Sequence, residues 1–113
     1  MKAEDFNELV LARLTQCEET LCRKAGEYAS DEDRFHNFKA AGRVLNISPI
    51  AALRGMKVKH DVSVDDICNR MEADPLYVPS KELLAEKIGD IHNYDLLLEG
   101  LIEDRRTVLE EES

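Results

Sequence analysis

Glu86, Asp90 and Asn93 stand at i, i+4 and i+7 within Glu86-Lys87-Ile88-Gly89-Asp90-Ile91-His92-Asn93-Tyr94. On a helix that spacing projects all three from one face. Two carboxylates one turn apart suit a hard divalent cation such as Mg²⁺, which takes oxygen ligands and keeps several waters. The same acid pair is also ordinary on a helix face that simply meets water. Spacing alone leaves both roles open.

Two other stretches carry chemistry. Asp31-Glu32-Asp33-Arg34-Phe35-His36-Asn37-Phe38 places two aromatic rings beside an amide and an imidazole. A base stacked between the Phe35 and Phe38 rings, with Asn37 reading its edge, is physically sensible. The plainer role for Phe35 and Phe38 is a core pair at i, i+3. In Met56-Lys57-Val58-Lys59-His60-Asp61-Val62-Ser63, Lys59 and Ser63 lie one turn apart, with His60 alongside. A cation and a hydroxyl so placed suit a phosphate group; a snorkelling surface lysine is the alternative. No nucleophile–base set, Gly-rich phosphate loop, HExxH or GxSxG pattern is legible.

These residues need helices to position them, and the sequence supplies helical patterns throughout. Phe6, Val10, Leu14, Cys17, Leu21, Ala25 and Tyr28 form a narrow bundle-type seam, predicting a first helix over about 4–27. Ser30, three before Asp33, predicts a second helix from about Asp31 to Leu45, burying Phe35, Phe38, Ala41 and Leu45 and ending at Asn46. Ser48-Pro49 is a helix start, an N-cap followed by proline at the first helical position. The third helix should reach about Glu72, with Leu53, Met56, His60, Ser63 and Ile67 inward and a kink allowed near Asp61. Gly55 would let another helix approach. Pro75 and Pro79 mark a loop, and Ser80 caps a fourth helix running to about Asp104, with Leu84, Ile88, Ile91, Leu98 and Ile102 as its buried stripe. Leu83, Leu97 and Leu101 beside that stripe would serve an oligomer contact. Residues 105–113 read as an acidic tail, frayed at its end.

The expected fold is therefore all-α, a four-helix bundle in a single domain over 1–113. At 113 residues, 43% hydrophobic and 35% charged, the chain supports one modest core. The net charge of −9 argues against direct nucleic-acid binding. It favours metal ions held by carboxylates, or a partner with a basic surface. No apolar run spans a bilayer and Met1-Lys2-Ala3-Glu4-Asp5 lacks a signal-peptide core, which predicts a cytoplasmic protein without a membrane partner. Cys17, Cys22 and Cys68 form no CxxC pair. Cys17 and Cys22 point about 140° apart on a helix, so buried free thiols are expected rather than a disulfide or zinc site.

Taken in order, a tyrosine ending helix one, an Asp-rich turn, an Asn-Phe in a short helix, a Met-x-x-Lys helix and a Glu-x-x-x-Asp-x-x-Asn-Tyr helix form a familiar series. It resembles small phage and prophage proteins related to the all-α nucleoside triphosphate pyrophosphohydrolases, the MazG and dimeric dUTPase group. The similar residues are Tyr28, Asp33, Phe35, Asn37, Phe38, Met56, Lys59, His60, Ser63, Glu86, Asp90, Asn93 and Tyr94, within about 28–101. In those enzymes acidic clusters on two adjacent helices hold Mg²⁺ against a triphosphate while water attacks phosphorus. Glu86 and Asp90 match the second cluster; the first, a Glu-x-x-Glu, has no counterpart, and its helix carries Lys59 and His60. The resemblance thus implies the fold and a nucleotide or phosphate ligand, with Mg²⁺ on Glu86 and Asp90. Lys59 and His60 would contact phosphate, with Phe35, Asn37, Asn93 and Tyr94 around the base. Pyrophosphohydrolase activity and a homo-oligomer are further implications. The competing expectation is an acidic, non-catalytic interaction module, a phage inhibitor of a host nucleic-acid-binding or defence protein. It would present Glu4, Glu8, Glu18, Glu19, Asp65, Asp66 and the acidic tail where phosphates would lie.

Overall fold

The computed structural model describes residues 1–23 and 33–113. Those residues are all-helical: α1 (Ala3–Glu18), α2 (His36–Leu45), α3 (Pro49–Ala73) and α4 (Lys81–Glu112), with no strand among them. No described helix is long and apolar enough to cross a membrane.

The helix starts follow their caps. The Ser48 hydroxyl oxygen accepts from the Ala51 N–H at 3.0 Å and the Ser80 hydroxyl oxygen from the Leu83 N–H at 3.1 Å, each satisfying one donor of a first turn. Asn46 ends α2 in the left-handed region at φ 58, where asparagine is tolerated better than most residues. The turn to α3 is so tight that Ile47 N–H donates to the Gly42 carbonyl at 2.9 Å. Between α3 and α4, Asp74 accepts from the Leu76 N–H at 3.0 Å and the Arg70 guanidinium lies 3.8 Å over the Tyr77 ring.

Several expected boundaries move. α1 ends at Glu18 and passes into a π-helical turn, Glu19–Arg23, where α-helix was expected; the rest of that expected helix, 24–27, lies outside the described residues. The Ser30 cap, Asp31, Gly26 and Tyr28 lie outside the described residues. α2 begins only at His36, because the Asp33 carboxylate accepts from the Phe35 N–H at 3.0 Å and holds the chain in a turn. The valines at 58, 62 and 64 leave α3 a single helix from Pro49 to Ala73. Residues 105–112 are helical, so the acidic tail is the last turns of α4.

Phe38, Leu53 and Leu101 form the apolar centre, with Phe35, Ile50, Met56, Tyr94, Leu97 and Leu98 packed around them. α4 therefore buries Gly89, Asn93 and Leu101, while Ile102 at the end of the expected stripe is exposed. The physical reason is that α4 lies against both α1 and α3, so its buried face falls between the two contacts. Leu101, assigned by sequence to an oligomer contact, belongs to this core. Only Cys17 is buried; Cys22 and Cys68 are exposed, and all three are free thiols. Burial pushes the Cys17 thiol up, against a smaller opposing pull from Arg13.

Gly55 has open space around it, whereas a Cβ at Gly42 would sit 2.7 Å from the Ile47 carbonyl oxygen and 3.3 Å from the Pro49 nitrogen. Close approach is thus a property of Gly42, not of Gly55. Alanine improves a helix interior by about 1 kcal/mol over glycine, while forced overpacking costs roughly 1–3 kcal/mol. Gly55→Ala is expected to stabilise the protein by about 0.5–1 kcal/mol. Gly42→Ala is expected to destabilise it by at least about 1 kcal/mol, because turn backbone cannot swing aside. Urea unfolding of the two variants checks the opposite signs.

Candidate functional site: the seam between α3 and α4

Leu53, Met56 and His60 follow one another along the face of α3 that meets α4, a spacing that stacks them on one side. His60 lands beside α4, its Nδ1 3.4 Å from Asp90 Oδ2 and its ring centroid 5.1 Å from that of Tyr94, tilted by 33°. Asp90 and Tyr94 are themselves one turn apart. An imidazole is thus bracketed by a carboxylate and a phenol. Burial, helped by the Asp90 charge, raises the Tyr94 hydroxyl above its ordinary value, so Tyr94 is a hydrogen-bond donor at neutral pH.

Asn93 is the one buried polar residue among the described residues, 8% exposed, and its Oδ1 has no hydrogen-bond partner there. Such an amide oxygen is costly to leave unmade and would accept from any donor brought to it.

The other residues are placed as follows. Glu86 is exposed, its carboxylate 3.7 Å from Lys87, while Asp90 is half-exposed against His60. Lys59 is exposed on the outer side of α3, where its carbonyl accepts from the Ser63 hydroxyl at 3.0 Å. Phe35 and Tyr94 both pack around the Phe38–Leu53–Leu101 centre, and a Cβ at Gly100 would meet the Phe35 ring at 2.7 Å. Asn37 is exposed on α2. The seam therefore gathers His60, Asp90 and Tyr94, with Asn93 buried on α4 one residue before Tyr94, and leaves Lys59 and Asn37 exposed.

Lys57 is the cation that the seam holds. Its ammonium donates to both Asp61 oxygens at 3.2 Å and lies 3.4 Å from Asp95 on α4. The Asp61 hydrogen bond is the main cause that raises its pKa, with desolvation opposing. Sequence carried a signal for it: Lys57 is one turn after Leu53 and one turn before Asp61. Lys39 makes a matching tie between Asp33 at 3.0 Å and Asp104 at 3.3 Å. Its hydrogen bond, seconded by the Phe35 N–H, holds the Asp33 carboxyl below its ordinary value. Both lysines brace helices through their acids.

No group of three or more His, Cys, Asp or Glu side chains is assembled for a metal ion among the described residues. Glu86 lies beside Lys87 and Asp90 against His60; a Mg²⁺ ion delivered by a ligand needs only one or two protein carboxylates beside its phosphates and waters.

No family model, curated protein or solved structure matches the chain.

Proposed function

We propose that the chain is a MazG-like helical bundle that binds a nucleotide or related phosphate ligand, with its Mg²⁺, at the α3–α4 seam. The observation that carries this role is the buried Asn93 oxygen without a partner, one residue before the Tyr94 that faces His60 and Asp90. A nucleobase amine is the kind of donor that satisfies such an acceptor. His60 offers its imidazole and Tyr94 its hydroxyl to phosphate oxygens, and Lys59 is within the same turn of α3 for longer-range attraction. Asp90, with Glu86, takes the metal side of a Mg²⁺–phosphate pair; the ion supplies charge neutralisation of the phosphates. Pyrophosphohydrolase chemistry would need further carboxylates to activate water, so binding is the core of the proposal and hydrolysis its extension.

The check is a thermal-shift screen of the full chain with Mg²⁺ and each nucleoside triphosphate, and with inorganic triphosphate. A ligand at about ten times its Kd adds roughly 1.4 kcal/mol, about 5 °C for a domain of this size. The rise is expected only with Mg²⁺ present and to shrink in Asp90→Asn. If no triphosphate stabilises the protein, the ligand role is wrong.

A second role, the acidic interaction module, draws support from the exposure of Glu4, Glu8, Glu18, Glu19, Asp65 and Asp66. A basic protein partner would use those faces and leave the seam untouched. A flat nucleotide screen moves the assignment to it.

A further inference from the structure

α1 and α4 leave an apolar trough between them of about 590 Å³, with Phe6, Leu9, Val10 and Leu14 on one wall and Ile88 and Leu96 on the other. The two helices run antiparallel: Gln16, near the end of α1, donates to the Ala85 carbonyl at 3.0 Å near the start of α4. The trough follows them from there toward Phe6 and Glu99. Sequence expected Phe6, Val10 and Leu14 to be a buried seam. They keep the spacing of one, yet Phe6 is 55% and Leu14 59% exposed.

The shape of the trough selects the class of occupant. A small-molecule pocket wraps about 70–90% of its ligand's surface, whereas walls of half-exposed side chains cover an occupant from below alone. A helix needs no more than that. It is roughly 10 Å across and beds one apolar stripe, at i, i+3, i+4 and i+7, into the groove between two others.

Charge selects among helices. Arg13, whose guanidinium donates to the Gln16 side-chain oxygen, lines the trough toward its Gln16–Ala85 end, and Asp95 and Glu99 line it toward the other. Asp95 already has Lys57 at 3.4 Å, but the Glu99 carboxylate makes no ion pair among the described residues. The Gln16 bond sets Arg13 about level with Ile88, and Glu99 is about three turns further along α4, roughly 16 Å at about 1.5 Å per residue. Covering either charge without a counter-charge is costly. The fitting occupant therefore brings an acidic group to Arg13 and, about three turns along, a basic group to Glu99.

We infer that the α1–α4 trough is the docking groove for an amphipathic helix of a partner protein, whose apolar stripe carries an acidic residue at the Arg13 end and a basic residue at the Glu99 end. His60, Asp90 and Tyr94 do not line the trough, nor do Glu4, Glu8, Glu18 and Glu19. The inference stands whether or not a nucleotide binds at the α3 seam.

Fluorescence anisotropy of the full chain with lactam-bridged helical peptides of about 16 residues tests it. Each peptide has leucine at i, i+3, i+4, i+7 and i+11. The matched peptide has glutamate beside its first leucine and lysine about three turns on; its counterpart has glutamate at both places. The matched peptide is expected to bind with a Kd of about 10 µM or tighter, at least about tenfold more tightly than the counterpart. Glu99→Arg should reverse that preference. Leu14→Glu and Leu96→Glu, on opposite walls and both part-exposed, should each weaken binding by at least about tenfold with helicity unchanged. Val44→Glu, on α2 and outside the trough lining, should leave binding intact. A matched peptide that does not bind, binds no better than its counterpart, or ignores both wall substitutions overturns the inference. So does a trough closed by a second copy, seen as a wild type at twice 12.9 kDa in sedimentation equilibrium that Leu14→Glu returns to monomer. A trough that holds an apolar dye, anilinonaphthalene sulfonate, which the matched peptide fails to displace overturns it as well.

Discussion

Leu53→Ala is expected to cost about 2–5 kcal/mol of stability, the range for emptying a fully buried leucine site. Among the described residues Leu53 is the largest side chain wholly removed from solvent, at 0% exposure, and it belongs to the cluster that α2, α3 and α4 share through Phe38 and Leu101. Among the described residues the apolar core is small: besides these three it holds Cys17 and Ala52. A domain of this size is stable by only about 5–15 kcal/mol, so this one truncation removes a large share. The loss should take the His60–Asp90–Tyr94 arrangement with it, because Met56 and Tyr94 pack on the same cluster. Urea unfolding followed by far-UV circular dichroism checks the size of the effect. A loss below about 1 kcal/mol would mean that these three helices do not share a centre at Leu53.

The contrast with α1 is informative. Its leucines are as regular in sequence as Leu53, Met56 and His60 are, but its stripe faces a trough and not a filled core. Periodicity reports which face of a helix is apolar. It does not report whether the partner is in the same chain. That is why the seam of the first helix was legible and its exposure was not.

Local chemistry is more legible in the sequence than packing. Ser48-Pro49, Ser80 and Asn46 act where their residue types place them, since a cap depends on a few neighbouring atoms. The inward face of α3 was also legible, because that helix meets its neighbours mainly along one side. α4 defeated the same treatment: it is held by α1 through Gln16 and Gly89 and by α3 through His60 and Lys57. Two neighbours bury two overlapping stripes, and a single apolar stripe read from sequence falls between them. The sequence does not distinguish Lys57 from Lys59 for a related reason. One residue changes the direction of a side chain by about 100° on a helix, and only the position of α4 decides which lysine meets an acid. Asp33 shows the same limit at short range, since its carboxylate turns the chain within the expected first turn of the second helix.

Asn93→Leu separates a binding residue from a structural one. If the buried Oδ1 lacks a donor in the unliganded protein, as the geometry has it, replacing the amide with an apolar side chain of similar size removes an unmet acceptor. Leaving such a group unsatisfied costs about 1–3 kcal/mol, so the variant is expected to gain roughly 1–2 kcal/mol, seen as a higher Tm in buffer alone. The same variant should lose the Mg²⁺-dependent stabilisation by nucleoside triphosphate, because the acceptor that meets the base is gone. Opposite signs in the two measurements are the mark of a position kept polar for its ligand. A stability loss above about 1 kcal/mol would instead reveal an amide bonded within the protein. A leucine variant with the full nucleotide response would remove Asn93 from the site and leave His60, Asp90 and Tyr94 as an internal brace between α3 and α4.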